Sequence, residues 1–357
     1  MAGRAGADPV VINGRKVEPG QRAAIELPVA GLYTATTMTM PVQVVHGHKP
    51  GPRLFVCAAI HGDELNGVEI IRRLLALKAL ARLRGALIAI PIVNVYGVVT
   101  HSRYLPDRRD LNRFFPGSDK GSLTARLAHL LVDEVMGHCT HGIDLHTGAL
   151  HRDNLPHVRA DLDHPETERL ARAFGVPVLL NSDLRDGSLR QAAAERDIPV
   201  LVYEGGEALR FDEVAIRAGL KGVVQVMRAL GMLPAGHRRE KAPKEPVEAR
   251  SSTWVRAELS GILRAGVGLG VRVRKGNRLG VITDPFGAKE TEVTAPVDGI
   301  VIARLNLPLV NEGDALFHIA RFRRNESVAA QVAEFQSTYE GVIQDPDLYG
   351  GEGLPLE

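Results

Sequence analysis

Cysteine is scarce in this chain: Cys57 and Cys139 are the two among 357 residues. Two thiols exclude a disulfide framework. Cys57 lies inside an apolar stretch and reads as a small buried hydrophobe. Long apolar runs are missing too. No stretch reaches the roughly 18 residues that a membrane-spanning helix needs. The N-terminus has Arg4 but no apolar core of a secretory leader. The expectation is a soluble, cytoplasmic protein with no membrane partner. Neither charge sign dominates, and the formal net charge of +2 gives no general argument for nucleic acid. Aromatics are sparse at 4%, with no aromatic–basic pattern that would stack on and grip a strand, so no nucleic-acid partner is expected. What is present is ordinary globular composition, 45% hydrophobic and 24% charged, in a chain long enough for two domains.

Hydrophobic periodicity divides the chain. Residues 1–24 are rich in Gly, Pro and Arg and read as an N-terminal segment with room for flexibility at its start. Ile25–Val29 and Thr39–Val45 read as antiparallel lead-in strands. Strands are then expected over Leu54–Ile60, Leu87–Val93, Ile143–Leu145, Val176–Leu180 and Val200–Tyr203. Between them, helices are expected over Leu65–Leu83, Leu123–Met136, Glu166–Phe174, Leu189–Glu195 and Phe211–Leu230. The alternation implies an α/β catalytic domain over residues 25–235, built on a mainly parallel mixed sheet with helices on both faces. Residues 236–250, charged and carrying Pro243 and Pro246, read as a linker.

Residues 251–321 change texture to short β runs broken by glycine. Gly261-Ile262-Leu263, followed by Lys275-Gly276-Asn277, is echoed by Gly299-Ile300-Val301, followed by Glu312-Gly313-Asp314. The repeat points to a smaller all-β barrel-sandwich domain similar to the biotinyl/lipoyl carrier fold. Lys289 lacks the neighbours of a modifiable carrier lysine, so the expected role is packing against the first domain. Residues 322–357 form a tail with one short helical pattern and then a Gly/Pro-rich end.

His61-Gly62-Asp63-Glu64 carries the most chemistry. It follows an apolar strand and precedes an amphipathic helix. A His and a Glu three apart at such a turn can point at one spot. One imidazole and one carboxylate are two of the three protein ligands of a catalytic zinc, which keeps a fourth position open. His146, ending the strand-like Ile143-Asp144-Leu145, is the candidate third ligand. Asp144, on the same strand face, either orients an imidazole or caps a helix. Asp63 reads as an N-cap. Glu204, emerging from an apolar strand before Gly205 and Gly206, is either a candidate for the proton acceptor that a metal-bound water needs or a strand-end cap of a helix. His61, Asn94, His146 and Glu204 all lie at or just past strand ends, where open α/β sheets bind ligands.

Four motifs stand in order: His61-Gly62-Asp63-Glu64, Asp110-Leu111-Asn112-Arg113, Asp144-Leu145-His146-Thr147-Gly148 and Tyr203-Glu204-Gly205-Gly206. On these motifs the chain resembles the succinylglutamate desuccinylase/aspartoacylase family, over roughly residues 40–235. The resemblance implies a zinc-dependent amidohydrolase, a deacylase cleaving the amide of a small N-acyl amino acid or related carboxylate. It implies one zinc per chain on His61, Glu64 and His146, with Glu204 as general base and then acid. Asn112 and Arg113 would hold the substrate carboxylate, the guanidinium by a bidentate fork. Arg103 matches the family arginine that steadies the oxyanion, with Arg108 and Arg109 as alternatives in that loop; Arg190 is the candidate for a further family arginine upstream of the base, in a stretch that does not align cleanly. Two rivals stay open: a metallocarboxypeptidase acting on a short peptide, and a non-catalytic binding protein with a relic site. A homo-oligomer is also left open.

Overall fold

The computed structural model describes residues 8–235, 246–322 and 325–340. It opens with a hairpin, β1 (Val10–Ile12) and β2 (Arg15–Val17). Asn13 and Gly14 turn it, both at positive φ, as a two-residue Asn-Gly turn requires. Val10, Ile12 and Val17 are fully buried. Three apolar side chains on a good turn suffice to fold residues 10–17, while residues 1–7 lie outside the described ones.

The chain continues through β3 (Arg22–Gly31), β4 (Thr37–His46), β5 (Lys49–Ala58), α1 (Asn66–Ala76) and β6 (Arg84–Ile90). Next come α2 (Val95–Val99), α3 (Leu123–Glu134), β7 (His141–His146), β8 (Arg152–Ala160) and α4 (Pro165–Phe174). Then follow β9 (Val178–Asn181), α5 (Leu189–Ala194), β10 (Val200–Gly206) and α6 (Glu213–Ala229). The expected helix Leu65–Leu83 stops at Ala76, where Leu77 turns extended before a 3-10 turn at Lys78–Arg82. No glycine or proline marks that break in the sequence.

The centre of the sheet is parallel, in the order β10, β7, β5, β6. β4 and β3 extend one side antiparallel, and β8 lies antiparallel beside β10 on the other. Both faces of the central strands are apolar because both are covered. Leu54, Val56 and Ala58 face the core under α1, α4 and α6, which includes Ile70, Phe174 and Val223. Phe55 and Cys57 face the opposite core under α3, α5 and the β1–β2 hairpin. Among the described residues no helix is long and apolar enough to cross a membrane.

Of the expected linker, residues 236–245 lie outside the described ones, and β11 (Val247–Ala249) pairs in parallel with β9. The remaining strands are β12 (Ser251–Arg256), β13 (Gly261–Ala265), β14 (Arg272–Val273), β15 (Arg278–Thr283), β16 (Glu290–Thr294), β17 (Gly299–Leu305), β18 (Leu309–Val310) and β19 (Ala315–Arg321), and α7 (Asn325–Glu340) follows. β16, β15, β13 and β18 make a separate four-stranded antiparallel sheet. β12, β19 and β17 instead join the central sheet, because β17 pairs with β8. The two layers enclose a core of Leu263, Ile282, Val301, Phe317 and their neighbours. Lys289 sits exposed in the β15–β16 hairpin loop, where its backbone N–H bonds the Asp284 carboxylate.

Candidate metal centre and catalytic face

The turn after β5 sets the first two donors. Ala59 takes a left-handed φ of 53°, and the Glu64 N–H donates to the His61 carbonyl at 3.1 Å. That three-residue closure brings both side chains to one point. Gly62 is required by crowding: a Cβ there would lie 2.0 Å from the Gly97 carbonyl carbon at α2. Asp63 does not cap the helix. Leu65 occupies the N-cap position without a side-chain bond, and Asp63 Oδ1 is buried with no hydrogen-bond partner.

β7 brings the third donor across. His61, Glu64 and His146 are all buried, and one donor atom from each lies within 4.8 Å of the others. Both imidazoles present Nδ1 to the Glu64 carboxylate, His61 at 2.7 Å and His146 at 2.8 Å. Their outer nitrogens are backed by carboxylates: His146 Nε2 meets Asp144 at 2.7 Å, and His61 Nε2 meets Asp110 at 3.1 Å. Burial pushes His146 towards its neutral form, but the charges of Asp144 and Glu64 outweigh it and raise its pKa well above the usual value. Burial likewise disfavours charge on Glu64, yet the two imidazoles hold it below the usual carboxylate range. The Glu64 carboxylate thus faces one ring nitrogen of each histidine. Two imidazole nitrogens, one carboxylate and outer carboxylates that fix the rings are a donor set suited to catalytic zinc.

Arg103 lies beside this cluster. Its Nη1 is 3.3 Å from Glu64 Oε1, and its Nη2 donates to Asp110 at 3.0 Å. Asp110 also caps the short turn Leu111–Arg113 by accepting from the Asn112 N–H at 2.9 Å. Asn112 spends its amide oxygen on the Leu189 N–H at 2.9 Å, while its Nδ2 makes no hydrogen bond among the described residues. Arg113 is exposed, with Nη1 donating to the Asn112 carbonyl. Arg109 packs over the Phe114 ring, and Arg108 is exposed. Arg190 is turned aside: it donates to the Ser182 and Asp183 carbonyls and to the Ser182 hydroxyl.

Glu204 stands opposite His146 in the β10–β7 register. Parallel neighbours in register share a face, so Glu204 lies beside the donor cluster without being one of its three members. Gly206, two residues on, has a φ of 75°, which a side chain would resist. Asn154 Nδ2 donates to Glu204 Oε2 at 3.0 Å, and Arg159 Nη1 is 3.5 Å from Oε1. Both partners come from β8, which sequence reasoning left unassigned. Asp110 was inside a recognised motif, but no role was given to it.

Residues 50–230, just over half of the chain, match the profile of the succinylglutamate desuccinylase/aspartoacylase catalytic domain. The chain is 28% identical over 317 residues to the N-alpha-acetyl-L-2,4-diaminobutyric acid deacetylase of Halomonas elongata, covering 84% of this chain and 91% of that one. A succinylglutamate desuccinylase/aspartoacylase structure from Rhodobacter sphaeroides superposes with a TM-score of 0.75 at 24% identity, covering 85% of this chain and 95% of the other. The product-bound ectoine utilization protein of Ruegeria pomeroyi gives a TM-score of 0.77 at 23% identity, covering 87% and 98%. At these identities the two structures speak for the fold. The chain belongs to the succinylglutamate desuccinylase/aspartoacylase family and is a deacylase of it.

Proposed function

We propose that this deacylase is zinc-dependent and hydrolyses the amide of a small N-acyl amino acid, releasing the free amine and a carboxylate. The observation that carries the reading is the register of Glu204 against His146, which sets a carboxylate beside the three-donor cluster but outside it. His61, Glu64 and His146 would hold the zinc. When bound, it supplies Lewis acidity that polarises an amide carbonyl and lowers the pKa of a water towards about 7.

The remaining work falls to the chain's own residues. Glu204 takes a proton at a carboxylate oxygen and hands it to the departing nitrogen. Asn154 holds that carboxylate through its amide N–H. Arg103, tied to Asp110, offers its guanidinium where the carbonyl oxygen gains negative charge. Arg113 and the Asn112 Nδ2 receive the substrate carboxylate.

The named substrate of the Halomonas relative, an N-acetyl amino acid, makes N-acetyl compounds the first to try. Zinc-loaded protein is to be assayed against N-acetyl, N-succinyl and N-formyl amino acids beside short peptides. Hydrolysis of N-acyl amino acids in preference to peptides is the expected result. Preferential release of C-terminal residues from peptides would replace the deacylase reading with a carboxypeptidase.

A further inference from the structure

Glu204 stands where the sheet stops supporting its strand. The pairing of β10 with β7 ends at Glu204 opposite His146, and its pairing with β8 shifts register between Glu204 and Gly206. A ladder disrupted in this way leaves the residues beside it less firmly held. One buried side chain lies across the turn that follows. Asn66, the first residue of α1 and two after Glu64, is fully buried. Its Nδ2 donates to the Gly205 carbonyl at 3.0 Å, and its Oδ1 accepts from the Asp212 N–H at 3.0 Å. Gly205 and Asp212 bracket the loop that leaves the base, so one amide closes both of its ends. Asp212 in turn caps α6, accepting from the Ala215 N–H at 3.0 Å.

Both sides of this link are closely fitted. α1 is pressed onto the sheet at Gly67, where a Cβ would lie 2.7 Å from the Ala58 Cβ and 2.8 Å from the Leu145 Cβ. Ala58 and Leu145 belong to β5 and β7, the strands that lead to the three metal donors. On the other side Gly206 leaves room for the amide, since a Cβ there would lie 2.5 Å from Asn66 Nδ2. Two backbone bonds cross the same gap, from the Leu209 N–H to the Asp63 carbonyl and from the Gly148 N–H to the Gly206 carbonyl, both at 2.8 Å. Asn66 adds a side-chain strut from the helix that follows Glu64 to the residue that follows Glu204. Without it the Gly205 carbonyl and the Asp212 N–H lose their partner in a buried place, and the turn moves to find new ones.

We propose that Asn66 is a positioning residue that sets Glu204 at its working distance from the metal donors, acting through the Gly205 carbonyl and touching neither substrate nor metal. The inference rests on the reading of Glu204 as the base and adds the part that aims it. A base must come within about 2.6–3.2 Å of the proton that it takes. A misplacement of about 1 Å is enough to cost about a hundredfold in rate. A planar amide suits the task, because it carries a donor and an acceptor at fixed separation.

The test is a double-mutant cycle on zinc-loaded full-length protein: Asn66→Ala, Glu204→Gln and the two combined, assayed on the N-acetyl amino acid that the native protein hydrolyses fastest. Asn66→Ala should hold about one zinc per chain, as a three-ligand site does. Its KM should stay near native while kcat falls roughly tenfold to a hundredfold. In the Glu204→Gln background the same substitution should cost nothing further, because residues that act as a unit are not additive. A packing role alone would lower Tm without this coupling. Losses that multiply in the combined variant, a native kcat in Asn66→Ala, or zinc lost from it would each overturn the proposal. If Asn66→Ala does not fold, Asn66→Ser takes its place with the same outcomes expected, since its shorter side chain cannot span both backbone groups. Failure of both to fold would make Asn66 a residue of the fold alone and overturn its positioning role. A fault in the underlying reading shows elsewhere: a native kcat in Glu204→Gln by itself would remove the base, and with it the proposal.

Discussion

His61 and His146 each turn one ring nitrogen to Glu64 and the other to an aspartate. A carboxylate behind an imidazole fixes its tautomer and raises its basicity. Asp144→Asn should therefore weaken zinc binding by about 10–100-fold, read by competition with a chelating dye. Unchanged affinity would mean that strand geometry alone orients His146. At the proposed clamp, Arg113→Ala should raise KM by roughly tenfold to a thousandfold for free-acid substrates, the loss of a charge-assisted pair. The corresponding α-amides should be poor for the native protein and nearly indifferent to the substitution. Equal harm to acids and amides would give Arg113 a structural role. The three donors were legible as candidates because His61 and Glu64 lie in the turn after one apolar strand and His146 ends another, and strand ends are where such sheets present ligands. Asn154 and Arg159 were not legible, since a polar residue signals nothing until its strand is known. Arg190 sits at a plausible sequence distance, but the Ser182 and Asp183 carbonyls occupy it.

β8 is the element that sequence reading missed, and its composition explains why. Pro156 demotes a strand prediction, and Leu155 and Val158 stand three apart where a strand period is two. Three apart on one strand, Leu155 and Val158 point to opposite faces and enter different cores. The strand also carries a pH-sensitive junction. Asp153 pairs in register with Arg304 of β17. Burial first, then the charges of Asp212 and Glu207, push its pKa up to about 6 against the opposing pull of Arg304. An unfolded Asp titrates near 3.9. The folded state therefore binds more protons between about pH 4 and pH 6, and this group's contribution to stability is lost as pH rises through that window. Asp153→Asn removes the buried charge. Its Tm should exceed the native value at about pH 7.5, and the advantage should fade towards about pH 4. A pH-independent difference would mean that packing or Arg304, and not ionisation, governs the site.

On the scale of the whole molecule, the α/β alternation and the later β texture were legible, but their junction was not. β8 and β17 are distant in sequence, and no local pattern announces that they pair. One core draws Leu155, Val178 and Leu180 from the first part and Ile300, Ile302 and Val332 from the last. Removing residues 246–357 would bare that core and the β8 edge. Residues 8–235 alone should give associated material with no sharp thermal transition, as exposed edges favour pairing with other chains. A monodisperse fragment with the native Tm, seen by size exclusion and calorimetry, would contradict that dependence. The central claim is chemical: zinc on His61, Glu64 and His146, with Glu204 outside the shell as the base. The most direct test is the zinc content of Glu204→Gln, measured with its turnover beside native protein and His146→Ala. The account predicts about one zinc per chain in native and Glu204→Gln protein, as for a three-ligand site. It also predicts little zinc in His146→Ala, and a kcat for Glu204→Gln lower by roughly 10²–10⁴. Zinc lost from Glu204→Gln, or full zinc in His146→Ala, would contradict it.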